Sequence, residues 1–567
     1  MNAIVKRSAG VLLPAFSPRR EGDLGIGDTR AMSEWVHWAA SHKVGFLQLL
    51  PINETGSDDS PYNAISSVAL EPLYLTMEDV PGLSAEELDT ARAKLGSEVI
   101  GDRLVHYATV RTTKRTLLEI AYAHFPQSAS IAEKQEFENF QREEAAWLQD
   151  YTLFRWLMDR ARGSEAWDLW PKDFSDPERA RSYWQNQRIK QGDAVVHERT
   201  FYAWVQWLCF RQWRALRALG DELGVKLMGD IPIGISYYSA DVFFQLENFD
   251  LEWCGGAPPE TMFKHDRFIQ QWGQNWGIPV YRWNEMAEQG YPWWKQRIAK
   301  LTEIFSMFRI DHILGFYRIY AFPWRPQRNL EFLDLSPEQA AAKTGGRLPQ
   351  WAWRPDDTED NKRANCADGD HRLRAILEAA GDCEVIGEDL GCVPEYVRPH
   401  LESLGIAGFR IPHWDSRDSH VILGEELPEC SFATYATHDH DTMAALWEGF
   451  RAAAAGEIEP EDIEGGKWNL RMMGEFSGIA EAEVEMPLYS HEVQWHLIEA
   501  LLQSRSRYAA IMITDLYGMT DRYNMPGTIG GENWRFRLPF SLDDCEKDVT
   551  LVAEAVKLRK IILKANR

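Results

Sequence analysis

Eight short runs along the chain are apolar at nearly every position and stop on Gly, Pro or a charge: 9–17 (AGVLLPAFS), 44–52 (VGFLQLLPI), 225–233 (VKLMGDIPI), 307–316 (MFRIDHILGF), 383–390 (CEVIGEDL), 406–412 (IAGFRIP), 432–439 (FATYATHD) and 508–516 (YAAIMITDL). Such runs predict strands buried on both faces, as in a parallel sheet. Helical patterns separate most of them, as at 35–42 and 294–305. A capping box from Ser84 to Glu87 opens a helical region over 83–223, where Phe140, Trp147, Tyr151, Phe154 and Met158 recur at helical spacing as a core stripe. Ser336-Pro337-Glu338-Gln339 marks a further helix start. Eight strands alternating with helices predict an α/β fold, a (β/α)8 TIM barrel with large, mainly helical insertions. The chain reads as a single catalytic domain over 1–567, with a mainly helical insertion at 53–224 after the second strand and another insertion at 235–300. Glycines, prolines and aromatics make 255–283 a long surface loop with rigid aromatic points, and further insertions fall at 325–380 and 440–505. The acidic run at 456–466 is expected to be a solvated loop.

In such a barrel, catalytic groups gather where strands end and loops begin. Asp311, Glu388 and Asp439 close the fourth, fifth and seventh strands, and Asp230 closes the third. Glu388 and Asp389 are adjacent on a strand, so one of them faces the cleft and the other faces away. Retaining cleavage of a glycosidic bond needs a nucleophilic carboxylate and a proton-donating carboxyl about 5–5.5 Å apart, a spacing that neighbouring strand ends supply. Asp311 beside the cation Arg309 suits the ionised nucleophile. Glu388, following an apolar strand and facing other carboxylates, suits the neutral acid, while Asp439 bonds sugar hydroxyls as positive charge builds at the ring.

Two other readings stay open at this point. His438-Asp439-His440-Asp441, with His312 from the fourth strand, offers metal-ligand types at the barrel mouth and so a metal-dependent hydrolase. A non-catalytic glucan-binding protein would use the same carboxylates only for hydrogen bonds. Tyr62, on the polar loop beyond the second strand, is either a lid over its own backbone or a ligand contact. Trp272 and Trp276 either pin their loop or present flat faces to a ligand.

Composition narrows the partner. A net charge of -25 and a pI near 5.1 exclude nucleic acid and anionic membrane as natural partners and suit a neutral ligand. Tryptophan is in excess, 24 against 19 Tyr, and indole faces suit the apolar C–H faces of sugar rings. Seven scattered cysteines without a CxxC pair, and the lack of a long apolar segment, lead to the expectation of a reduced, cytoplasmic protein.

The motifs RIDH at 309–312, GEDLG at 387–391 and THD at 437–439 make the chain resemble the amylomaltase family of 4-alpha-glucanotransferases. AGVLLPAFS with DLGIGD, LLPINETG with SPYN, GGAPPE through GQNWGIPVYRW, and NMPGT with Asn533-Trp534 follow in family order, so the resemblance spans nearly the whole chain. It implies a retaining alpha-glucan transferase on a (β/α) barrel, with Asp311 as nucleophile, Glu388 as acid/base and Asp439 as transition-state stabiliser. It further implies that Arg309 orients the nucleophile, that His438 and Tyr62 contact the sugar in the reactive subsite, and that Trp276 flanks the acceptor side. Asp230, His312 and Glu260 complete the substrate-binding candidates. No metal and no cofactor are implied, and maltooligosaccharides and alpha-glucans are the expected partners. Glu260 stands where the family loop usually carries Asp, and Ile313-Leu314-Gly315 replaces the usual Phe-Arg-Gly. RIDHILGF, QLLPIN and VALEPLYL look closer to the plant cytosolic disproportionating enzymes, although this chain starts directly in the barrel without their starch-binding modules. An alpha-glucan hydrolase using the same carboxylates is the main alternative function.

Overall fold

The computed structural model describes residues 6–260, 266–352, 354–417, 419–459, 462–479, 487–528 and 530–567. Its centre is a closed barrel of eight parallel strands: Ser8–Leu12, Phe46–Gln48, Lys226–Ile231, Met307–Ile310, Glu384–Gly387, Ala407–Arg410, Ser431–Ala433 and Tyr508–Met512. These are referred to below as the first to eighth strands. Each pairs with its sequence neighbours, and the first closes on the eighth through Ser8 opposite Tyr508. The eight apolar runs are therefore the eight staves. The second strand begins at Phe46, two residues later than the start of its apolar run: the Val44 N–H still donates to the Ala39 carbonyl of the preceding helix, and bonds to the neighbouring strands start at Gly45, whose N–H donates to the Ala9 carbonyl.

Phe46, Met228, Met307, Ile386, Phe409, Phe432 and Tyr508 fill the barrel interior. Their bulk is accommodated by small neighbours. A Cβ on Gly10 would lie 2.0 Å from the Phe46 ring, so the first strand leaves the space that the second strand's aromatic occupies. The helix Thr29–Ser41 shows how the outer layer is specified. Asp28 caps it by accepting from the Ala31 N–H, and Met32, Trp35, Val36 and Ala39 form the buried stripe.

Between the second and third strands stand seven α-helices, the longest being Asp193–Leu223. Phe140, Trp147, Tyr151, Phe154 and Met158 are all buried. They lie on two helices rather than one, because the chain turns at Glu144 between Ile131–Glu143 and Ala145–Arg160.

One expectation is corrected. The stretch 255–283 is not a long structureless loop: Phe249–Ala257 and Gln274–Tyr281 pair antiparallel, and Ile319–Phe322 and Gln350–Ala352 extend them into a four-stranded sheet. Residues 261–265 within that stretch lie outside the described residues. The glycines and proline that suggest a loop are what the pairing needs. A Cβ on Gly256 would lie 1.9 Å from the Gln274 carbonyl oxygen, and the register shifts at this glycine. Pro279 is tolerated because its strand lies at the sheet edge. This arm has its own core of Cys254, Trp272, Phe322, Trp324 and Phe332, in which Trp324 and Phe332 stack at 3.8 Å. Trp272 is thus a core residue, its indole N–H donating to the Phe332 carbonyl.

Candidate active site

The C-terminal ends of the strands open into a cleft of about 2150 Å³. Asp311, Glu388 and Asp439 line it, together with Tyr62, Arg309, His312, Trp276 and Glu260.

Arg309 and Asp311 lie two residues apart and so project to the same side of the fourth strand. Arg309 Nη2 lies 2.6 Å from Asp311 Oδ1, while Nη1 reaches both oxygens of Asp230, at 2.6 and 2.9 Å. Tyr62 donates its hydroxyl to Asp230 Oδ2 at 2.6 Å. The side chain of Asp230 has no exposed surface, so it serves as the buried anchor for Arg309 and Tyr62, not as part of the cleft wall. A buried guanidinium paired on both edges cannot swing away without leaving a carboxylate uncompensated, which fixes the orientation of Asp311.

Glu388 follows the fifth strand and enters the cleft, with Oε2 3.9 Å from the same Arg309 Nη2. Asp311 and Glu388 thus flank one nitrogen of the Arg309 guanidinium. Burial pushes the Glu388 carboxyl up to about 7; the Arg309 cation pulls it back, and the Asp311 charge adds to the rise. N–H groups of His312 and Leu390 donate to its two oxygens, each at 2.8 Å. Asp389 points the other way and is fully buried, accepting from Arg398 and the Phe409 N–H, so it braces the sixth strand.

His438 is buried beneath the seventh-strand loop, its ring stacked on Tyr62 with centroids 5.2 Å apart and planes 17° apart. Trp534 covers both rings. Burial alone would raise the Asp439 carboxyl. His438 Nε2, at 3.3 Å, and the Asn524 amide, donating at 2.7 Å, outweigh that and hold it well below the usual carboxylate range. Asn524 belongs to the NMPGT motif, but a lone Asn on a loop has no periodicity or charge to mark it as a partner of Asp439. Arg522, which donates to the Asp439 carbonyl and pairs with Asp441, escapes sequence reasoning for the same reason.

The four residues 438–441 do not converge as a ligand set. His440 Nδ1 meets Thr437, Asp441 faces Arg522, and among the described residues no three His, Cys, Asp or Glu side chains are grouped to hold a metal. Trp276 projects from the arm, 37 % exposed, with its ring edge-on to His312 at 4.8 Å. Burial holds the His312 imidazole down to about 4, and it is neutral near pH 7. Glu260 reaches the cleft opposite Gly391, and burial raises its carboxyl above the ordinary range.

A family model described as 4-alpha-glucanotransferase matches residues 13–543. A 4-alpha-glucanotransferase of Chlamydia caviae is 30% identical over 551 residues, covering 94% of this chain and 91% of the relative. A 4-alpha-glucanotransferase of Oryza sativa subsp. japonica is 30% identical over 326 residues, covering 56% of this chain and 32% of the relative. The solved amylomaltase of Streptococcus agalactiae in complex with acarbose superposes with a TM-score of 0.74 at 22% identity, covering 99% of this chain and all of that one, and so shares the fold. With a barrel of the amylomaltase type and a sequence match running almost from end to end, the chain belongs to the 4-alpha-glucanotransferase family.

Proposed function

We propose that the cleft transfers alpha-1,4-linked glucosyl or glucanosyl units from maltooligosaccharide donors to the 4-hydroxyl of a sugar acceptor, by double displacement at Asp311. Asp311, oriented by Arg309, attacks the anomeric carbon while Glu388 gives its proton to the departing glycosidic oxygen. The bond from the anomeric carbon to that oxygen breaks, and a bond to the Asp311 carboxylate forms. Glu388, now a carboxylate, takes the proton of the acceptor hydroxyl, whose oxygen displaces Asp311 and restores the alpha configuration. Asp439 stays ionised throughout and stabilises the positive charge that develops at the ring in both steps.

The observation that carries this reading is the division of labour between two carboxyl groups at one cleft: Glu388 is raised to about 7 by burial, whereas Asp439 is held low by His438 and Asn524. The arm contributes Trp276 and Glu260 to the side of the cleft where an acceptor sugar would displace water. Arg318 lies at the cleft wall near the position where the usual Phe-Arg-Gly motif is replaced, stacked on Trp351 and paired with Asp356 at 2.7 Å. Starch, glycogen or maltose metabolism in the cytoplasm fits this chemistry and the seven free cysteines.

Incubating the purified protein with maltotriose in EDTA and resolving products by chain length tests the reading. A ladder of longer and shorter maltooligosaccharides is expected. Glucose and maltose alone, with a stoichiometric rise in reducing ends, would instead make the protein a hydrolase.

A further inference from the structure

The helix Val549–Lys564 packs on the helix His491–Gln503, whose His491 and Trp495 bond its Glu554, and it buries Ala555, Leu558, Ile561 and Ile562. Its outer face is also apolar. Val549, Val552, Val556 and Leu563 are 84, 38, 40 and 55 % exposed. Three of them recur every seven residues and Val552 falls between the first two, so at about 100° per residue the four make one stripe roughly 60° wide. No other helix exposes more than one large apolar side chain among the described residues. A single exposed valine needs no explanation, but four in register have the pattern of a helix-pairing seam.

The charges are as ordered as the stripe. Asp543, Asp544, Glu546 and Asp548 crowd the start of the helix against one cation, Lys547. From Ala555 onward come Lys557, Arg559, Lys560, Lys564 and Arg567, with no acidic residue. Lys557 leans on Trp495, and Lys564 reaches Glu499 of its own chain at 2.5 Å. Arg559 and Lys560 flank the stripe on either side and form no ion pair among the described residues. A helix with an acidic start and a basic end complements a copy of itself laid antiparallel and repels one laid parallel.

We propose that this helix is the interface of a homodimer, pairing antiparallel with the same helix of a second copy about a two-fold axis at Val556. In that register Val556 meets Val556 and Val549 meets Leu563, while Arg559, Lys560 and Lys564 lie over the acidic start of the other helix. The surface is self-complementary, as a closed two-fold interface requires. One helix pair is a small interface, and the net charge of -25 on each copy opposes association, so the dimer should dissociate on the order of micromolar concentrations. The cleft stays free. The chain approaches the helix from the cleft end, where the Leu538 N–H donates to the Ser17 carbonyl beyond the first strand. It leaves beside the strand starts, where Arg567 donates to the Ser8 and Arg507 carbonyls. Antiparallel pairing therefore turns the two clefts to opposite ends of the dimer, and the proposal does not depend on the transfer reading above.

Sedimentation velocity of the full chain from about 1 to about 200 µM tests the proposal, with a shift from monomer to dimer expected across that range. Val556→Glu and Val556→Lys each set two like charges face to face on the axis, and each should raise the dimer dissociation constant about tenfold or more. An equimolar mixture of the two variants should associate to within a few-fold of the parent, because Glu then faces Lys. A purely structural effect of either substitution would persist in the mixture. Both variants should keep the parent's activity on maltotriose at low protein concentration. A dimer indifferent to both variants, or a mixture no better than its components, would overturn the proposal. So would a parent that stays monomeric throughout, which would leave the stripe to a partner of another kind.

Discussion

At the scale of single residues, the site depends on carboxyl groups given different tasks by their surroundings. Replacing Asp311 by Asn should lower transfer by roughly 10³-fold or more without unfolding the protein, because it removes the atom that forms the covalent bond. Asn524→Ala withdraws a hydrogen bond from the Asp439 carboxylate and should cost about 10- to 100-fold in kcat, the range for one bond to a charged group. Glu388 makes a pH prediction with a definite sign. Its carboxyl is raised in the folded protein to about 7, so the proton needed for the first step is lost as pH rises through that value, and kcat/KM on maltotriose should fall there. The same shift acts on stability. A carboxyl whose folded pKa lies above its unfolded value leaves stability intact below about 4.5 and erodes it as pH rises through about 7. Relative to Glu388→Gln, which has no charge to gain, the parent should therefore lose stability in denaturant titration as pH rises from about 4.5 to about 7. These roles are partly legible in the sequence, which places Asp311 beside Arg309 and Glu388 after an apolar strand. The partners Asn524 and Arg522 are not, because their significance comes only from the fold bringing a distant loop over Asp439.

At the scale of elements, the barrel strands announce themselves because parallel staves buried on both faces must be apolar at successive positions, and few other elements share that pattern. The arm does not. Its strands carry Gly255, Gly256, Gly277 and Pro279, which read locally as breakers; Gly255 and Gly256 make sense beside the strands that cross them closely, Gly277 takes a left-handed backbone against Pro326, and Pro279 sits on an edge strand. Gly256→Ala tests that interpretation. The added Cβ collides with the Gln274 carbonyl and must part the two arm strands, at a cost of about 1–3 kcal/mol. The expected result is a lowered thermal midpoint together with a raised acceptor KM on maltotriose. An unchanged acceptor KM would mean that the arm's geometry does not govern the acceptor side.

At the scale of the whole molecule, the barrel supplies a rigid ring of strand ends, and the insertions decide what reaches it. Loop residues between 57 and 63, after the second strand, line one part of the cleft, and the arm with its tryptophan lines another. Among the described residues no helix is long and apolar enough to cross a membrane. The proposed chemistry runs entirely on carboxyl groups, so EDTA should leave the transfer rate unchanged, measured as maltotriose consumption with and without chelator. The central claim is that a glucosyl unit passes through a covalent bond to Asp311. The most direct measurement uses the Glu388→Gln variant with an alpha-maltosyl fluoride donor, quenched in acid and digested for peptide mass analysis. Fluoride leaves without a proton donor, and the missing base slows the second step, so the intermediate should accumulate. The account predicts a maltosyl adduct on the peptide containing Asp311, lost on adding Asp311→Asn; an adduct on Asp439, or none while turnover continues, would contradict it.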